Sequence, residues 1–251
     1  MPYLTSGRGR PAARAHRLPL RLAAPGFGHP LLAPAEWSRL ARPGLPLDWA
    51  VVGGSPAGPG SRPDAYWSAV VLPLRAAGVR VLGRLDFAFG ARPFGELLSD
   101  AQRYLNWYRV DGFAVARCPM DAEALAEVRR LTGALRTLLV NAHLVLVHGR
   151  YPVPGYAALA DQLVTFTGPW SRYRHSREPQ WAAEHPPGRF CHLVHSLPGD
   201  RLAEALALAR AQRAGTVYLT DRTDAAGVSP WEPVPGYWDE LVSRLGPGVS
   251  E

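Results

Sequence analysis

Lysine is absent from this sequence of 251 residues, and all 28 of its cationic side chains are arginines. Cysteine is scarce as well: Cys118 and Cys191 are the two present, which excludes the dense disulfide framework of small secreted domains. No run of 18 apolar residues occurs, and arginines interrupt the apolar residues near the N-terminus. A membrane span needs such a run and a secretory signal needs an unbroken apolar segment, so the sequence predicts neither. We therefore expect a cytoplasmic protein with no membrane association.

The positive charge is concentrated near the N-terminus. The formal net charge is +7, and five arginines with no acidic residue lie within the first 21 residues. The other 23 arginines face 21 acidic residues, so the rest of the chain is nearly neutral. This composition predicts a basic, disordered tail over residues 1–17. Because the body carries so little net charge, nucleic acid is not an expected partner.

Short apolar runs typical of buried strands recur eight times along the chain. Hydrophobic residues make up 47% of the sequence and charged residues 20%, which is enough to form a full core. The runs read as strands buried on both faces. They are Leu20 to Ala24, Asp48 to Val52, Val79 to Leu85, Gly112 to Ala116, His143 to Val147, Gln162 to Phe166, Phe190 to Val194 and Thr216 to Thr220.

Helical patterns separate these runs. Asp64 and Asp121 are predicted N-caps of two helices, and apolar residues spaced three and four apart follow Leu202. Eight strand-then-helix units predict an α/β fold, a (β/α)₈ TIM barrel, as one domain over residues 18–246 with a C-terminal tail at 247–251. A doubly wound sheet is the less favoured alternative because it usually has five or six strands.

The chemistry of such barrels takes place at the C-terminal ends of the strands. In this sequence two carboxylates stand at predicted strand ends. Glycoside hydrolysis needs a pair of acids about 5 to 9.5 Å apart. By position, Asp86 and Asp221 are the candidate catalytic pair. The alternative is that each caps a loop or pairs with a neighbouring arginine, Arg84 or Arg222.

Other residue types at the strand ends predict binding rather than catalysis. Trp170 and Tyr173 follow the sixth strand, where aromatic rings could pack on a sugar ring or cover the barrel rim. The histidines show no metal-ligand spacing, so no metal is expected.

The glycine-rich stretch from Gly53 to Gly60 lacks the lysine of a phosphate-binding P-loop. It therefore predicts a rigid loop, and no cofactor is expected. Cys118 has no assignable base and is expected to be a packed thiol.

Ordered motifs along the chain resemble spherulation-specific family 4, the spherulin 4-like proteins. The resemblance extends from about Leu20 to Leu245. It is carried by Gly58-Pro59-Gly60, Asp64-Ala65-Tyr66, Ala77 to Gly83, Tyr104, Trp107-Tyr108, Val110 to Phe113, Pro152 to Tyr156, Ala160-Asp161, His192 to His195, Tyr218 to Asp221, Pro230-Trp231 and Tyr237-Trp238.

The resemblance implies a (β/α)₈ barrel and relatives that hydrolyse galactosamine-containing polysaccharide with acids at the strand ends. The departures fall on those acids: Ala116 and Arg117 stand where the family has Asp-Glu, and Thr167 stands where it has a Glu. The family's Asn-Pro-Gly aligns with residues 147–149, and Arg84 stands where a Tyr is common. Without a general acid and a nucleophile or base, the protein lacks the groups that catalyse the family's hydrolysis.

The sequence therefore predicts a catalytically degenerate barrel, a pseudoenzyme that binds a carbohydrate-like or anionic ligand or a partner protein. An active hydrolase of a galactosamine-containing glycan, with relocated acids at Asp86 and Asp221, is the alternative. The tail docking an acidic partner protein is another. The predicted ligand-binding residues are Arg117, His148, Thr167, Trp170, Tyr173, His195 and Arg222.

Overall fold

Eight parallel strands follow one another in chain order around a closed barrel. The structure is a computed structural model and describes residues 19–53, 58–224 and 229–246. The predicted tails, residues 1–17 and 247–251, and residues 54–57 of the glycine-rich loop lie outside the described residues. The strands are β1 (Arg21–Ala24), β2 (Leu47–Val52), β3 (Arg80–Asp86), β4 (Gly112–Ala116), β5 (His143–Val147), β6 (Gln162–Pro169), β7 (Phe190–His195) and β8 (Thr216–Leu219). The predicted (β/α)₈ fold is confirmed.

A hydrogen-bonded group fills the interior of the barrel. The indole Nε1 of Trp49 in β2 donates to Gln162 Oε1 of β6 at 2.7 Å. The Gln162 amide in turn donates to Thr216 Oγ1 of β8 at 2.8 Å and to the Gly188 carbonyl at 3.0 Å. These buried polar groups are thereby satisfied, as a stable interior requires. The packed layer closes the barrel below the C-terminal ends of the strands.

Helices surround most of the barrel. They are α1 (Pro34–Leu40), α2 (Ala65–Ala76), α3 (Phe94–Tyr108), α4 (Leu125–Leu138), α5 (Trp170–Tyr173), α6 (Leu202–Ala211) and α7 (Trp238–Leu245). The connection between β5 and β6, described in full, contains a 3₁₀ turn at Pro154–Ala158 and no α-helix.

The two predicted N-caps have different outcomes. Asp64 caps α2, because its carboxylate accepts the Tyr66 backbone N–H at 2.8 Å, and this prediction is confirmed. The prediction for Asp121 is wrong: the helix begins four residues later, at Leu125. The Asp121 carboxylate accepts the Ala124 N–H at 3.0 Å and so stabilises the turn that precedes α4.

A bulge in β6 determines which of its side chains face the barrel interior. The pairing of β6 with β7 shifts register between Val164 and Phe166. In a regular strand, Gln162 and Thr167 would point to opposite faces, because one number is even and the other odd. The bulge adds a residue between them, so both face the barrel interior. The strand also continues to Pro169, three residues beyond its predicted end.

Candidate ligand-binding site at the barrel mouth

A cavity of about 280 Å³ lies at the C-terminal ends of the strands. Small side chains on β4, Ala114 and Ala116, leave the space open on one side. The full lining is Pro25, Trp49, Val51, Arg84, Ala114, Ala116, Arg117, Val147, Thr167, Leu193 and Trp231. Apolar side chains dominate this wall, and a few polar groups are placed among them, as in many small-molecule sites.

Trp231, in the segment after β8, provides the aromatic wall of the cavity. Its ring packs edge-on against His195, with ring centroids 5.6 Å apart, and against Tyr218 at 6.1 Å. These contacts fix the indole at the rim. The sequence reasoning did not include Trp231 among the site residues, although the Pro230-Trp231 motif was among the family matches.

Arg84 and Arg117 are the two charged residues in the lining; we call them the arginine pair. The Nε of Arg117 donates to Asp86 Oδ1 at 2.7 Å. The Asp86 side chain is 2% exposed and also accepts the Ala88 N–H at 3.0 Å. Arg84 Nη2 lies 3.9 Å from Asp86 Oδ2, which is too long for a hydrogen bond. Asp86 therefore serves as a buried counter-ion that positions Arg117.

Backbone strain accompanies this ion pair. Arg117, Ala88 and Phe89 all have positive φ, at 49°, 51° and 56°, which is costly for residues other than glycine. The Phe89 N–H donates to the Arg117 carbonyl at 2.8 Å and so joins the loops after β3 and β4. The Phe89 ring is 64% exposed, with the Arg117 guanidinium 5.9 Å from its centre. Such strain persists where surrounding contacts enforce it, often at functional sites.

The two predicted catalytic acids do not line the cavity. Asp86 is occupied by Arg117, as described above. Asp221 Oδ1 accepts the Gly236 N–H at 2.9 Å and lies 3.8 Å from Arg222 Nε. The alternative expectation is that each acid caps a loop or pairs with Arg84 or Arg222. Both acids accept a loop N–H, but the arginine that bonds to Asp86 is Arg117, with Arg84 at 3.9 Å. No acidic side chain of the described residues is part of the lining, and residues 1–18, 54–57 and 225–228 contain no Asp or Glu.

Two of the seven predicted ligand-binding residues, Arg117 and Thr167, line the cavity. The Thr167 hydroxyl is buried and has no hydrogen-bond partner in the described structure. Arg84, predicted from the sequence as a partner of Asp86 and as a departure from the family's Tyr, lines the cavity as well. Alternate side chains of a strand point to the same face, so the even-numbered Arg84 and Asp86 of β3 lie on one face. This alternation could have placed Arg84 at the cavity from the sequence.

The two predicted histidines lie outside the lining. His148 Nδ1 is 2.8 Å from the Pro119 carbonyl oxygen, and burial lowers the pKa of His148 to about 4. His195 Nδ1 is 3.0 Å from Ser196 Oγ, and burial also lowers the pKa of His195. Both imidazoles are therefore neutral at pH 7 and bring no positive charge to the mouth.

The remaining predicted binding residues also lie outside the lining. Trp170 and Tyr173 are buried and pack on each other, and the Tyr173 hydroxyl bonds to His192 Nδ1 at 2.8 Å. Arg222 donates to the Val234 carbonyl at 3.4 Å. A direct contact between these residues and a ligand stays a prediction.

Neither cysteine is among the described residues that line the cavity. Cys118 and Cys191 are free and buried, and burial raises the pKa of the Cys118 thiol, so a reactive thiolate is disfavoured. No cluster of three metal-ligating side chains occurs among the described residues. No helix in that part of the chain has the length and apolar character to cross a membrane.

Comparisons with known proteins agree with the fold. Residues 22–245 match the model of spherulation-specific family 4. Spherulin-4 of Physarum polycephalum is 21% identical over 237 residues, which are 90% of this chain and 70% of that protein.

Solved structures show the same barrel. The structure of Aspergillus clavatus Sph3 in complex with GalNAc aligns with a TM-score of 0.77 at 22% identity, covering 90% of this chain and 97% of that one. A chitinase from Rhizomucor miehei aligns with a TM-score of 0.56 at 12% identity, covering 90% and 99%. Since the family model covers nearly the whole barrel, the chain belongs to spherulation-specific family 4.

Proposed function

We propose that this chain is a non-hydrolysing member of its family, and that the cavity at the barrel mouth binds a carbohydrate. The main support is the replacement of the family's acids in the cavity wall. The three positions at which the family resemblance implies acids are occupied by Ala116, Arg117 and Thr167, and all three line the cavity. The ligand-facing positions are retained, but none of them can donate a proton as an acid or act as a carboxylate nucleophile.

The buried state of Asp86 argues against relocated catalysis. A general acid must reach the leaving oxygen, and a nucleophile must reach the anomeric carbon. The Asp86 carboxylate is directed at Arg117 and at a backbone N–H, and it is not part of the lining. Asp221 is engaged by the Gly236 N–H. Neither carboxylate lines the cavity, where a pair of acids would have to face each other across a glycosidic bond.

The wall of the cavity suits a sugar ring. Trp231 presents an aromatic surface, on which the C–H face of a sugar can pack. The Thr167 hydroxyl is buried without a partner, and such groups require a ligand or water to satisfy them. Sph3, the fungal relative, was crystallised with GalNAc, which supports a sugar as the ligand class.

The test combines hydrolysis with binding. Oligosaccharides of GalNAc and galactosamine are incubated with the protein, and released reducing ends are measured for the wild type, Asp86→Asn and Asp221→Asn. We expect no release above a heat-denatured control. Calorimetric titration with GalNAc should show binding that Trp231→Ala weakens and that Trp107→Ala, a change of a half-buried tryptophan on α3, leaves unchanged. Turnover that either acid substitution abolishes would establish the hydrolase alternative instead.

A further inference from the structure

The arginine pair indicates the chemical class of the ligand. Resting on the proposed sugar site, we infer that the ligand is a sugar bearing one carboxylate, such as a hexuronate, and that Arg84 and Arg117 bind that carboxylate. This class differs in charge from galactosamine, whose amine is cationic and would be repelled by the pair.

The arginine pair has hydrogen-bond donors that no described residue uses. The Arg84 side chain lines the cavity and makes no hydrogen bond to any described residue; its Nη2 lies 3.9 Å from Asp86 Oδ2, and its Nε is buried without a partner. Arg117 uses its Nε for Asp86, while its two terminal nitrogens have no acceptor in the described structure. Buried donors such as the Arg84 Nε are normally satisfied. The Arg117 side chain is 49% exposed, so its terminal nitrogens are free to donate to an acceptor that enters the cavity.

The cavity at the barrel mouth carries a net positive charge. The arginine pair contributes two positive charges, and Asp86 cancels one of them. His148 and His195 are neutral at pH 7, as the lowered pKa values of both side chains show. The lining and its direct ion-pair partner therefore carry one net positive charge. A carboxylate, with one negative charge, balances it, whereas a phosphate, at about −1.5 to −2, would leave an excess of negative charge.

Apolar side chains lie beside the arginine pair in the cavity wall. Apolar lining residues adjoin the pair: Ala114 neighbours Arg84 across the β3–β4 pairing, and Ala116 directly precedes Arg117. A charged hydrogen bond is stronger where such side chains exclude water. Guanidinium and carboxylate also match geometrically, since two parallel N–H groups can reach two oxygens. Trp231 in the same lining is available for the ring of the sugar.

The experiment is a calorimetric titration of the wild-type protein with four probes: galacturonate, galactose, GalNAc and galactose 6-phosphate. Galacturonate should bind most tightly. Arg84→Gln removes one cation without breaking a hydrogen bond to a described residue, so the variant should fold normally. Because a hydrogen bond to a charged group contributes to binding, Arg84→Gln should weaken galacturonate binding by about 10- to 100-fold. Arg150→Gln, which removes an exposed arginine outside the lining, should change binding less than about 2-fold.

The outcomes separate this inference from the proposed function. If GalNAc or galactose binds as tightly as galacturonate and Arg84→Gln changes nothing, the carboxylate inference fails and the sugar site stands. Tighter binding of galactose 6-phosphate than of galacturonate would overturn the choice of a single carboxylate. If no probe binds to the wild type, both the inference and the proposed function are contradicted.

Discussion

Removing the Arg117 guanidinium should destabilise the barrel by leaving Asp86 without its main partner. The Asp86 side chain is 2% exposed, and its bond to Arg117 Nε is 2.7 Å long. A hydrogen bond to a charged group contributes about 1.5 to 3 kcal/mol, and because Arg117 is half exposed we take about 2 kcal/mol. For a domain of this size that corresponds to a fall in Tm of about 4 to 8 °C for Arg117→Ala. Alanine keeps the unfavourable positive φ, so the change isolates the guanidinium.

A double-mutant cycle with Asp86→Ala provides the decisive comparison. Free energies of unfolding from urea denaturation should show a coupling of about 1.5 to 3 kcal/mol between positions 86 and 117. Arg150→Ala serves as the control, because this exposed arginine lies outside the lining and has no ion pair with Asp86 among the described residues. Additive effects of Arg117→Ala and Asp86→Ala would refute the ion pair and, with it, the view that Asp86 is a counter-ion.

Three further predictions concern the scaffold. Gly83→Ala should destabilise by about 1 to 3 kcal/mol in urea denaturation, because its Cβ would lie 2.6 Å from Tyr104 Cγ, whereas Gly95→Ala on α3, with open space around it, should be neutral or stabilising. Equal effects would contradict the close packing. Gln162→Ala should cost roughly 3 kcal/mol, since it breaks two buried hydrogen bonds and one partly buried one, and an unchanged Tm would disprove this. Burial lowers the pKa of His192 to about 3, so the unfolded state binds its proton more readily between pH 3 and 6.5. Stability should rise with pH across that window by up to about 1.4 kcal/mol per unit, and His192→Gln should flatten the rise; parallel pH profiles would exclude this role.

The fold was largely predictable because most strands are short apolar runs flanked by breakers. The predicted bounds of β4 and β5 coincide with the observed ones, Gly112–Ala116 and His143–Val147. The stripe after Leu202 became the buried face of α6. The connection after β5 was less predictable, since a 3₁₀ turn there replaces the expected helix. Short turns depend on tertiary packing more than on a local pattern.

The candidate site was predictable in part. The substitutions at positions 116, 117 and 167 pointed to the cavity because they close β4 and β6. The orientation of Thr167 depends on the β6 bulge, which no periodicity in the sequence reveals. Trp231 lies in a long connection after β8, and its place at the mouth is set by contacts with distant strands. Local sequence patterns carry no information about such contacts.

A crystal structure of the protein with galacturonate bound would show whether the arginine pair holds the carboxylate. We expect the carboxylate within about 3.2 Å of nitrogen atoms of both Arg84 and Arg117, with Asp86 still bonded to Arg117. The sugar ring should pack against Trp231. A ligand bound elsewhere, or an Asp86 carboxylate released from Arg117 and directed at the anomeric oxygen, would contradict this assignment.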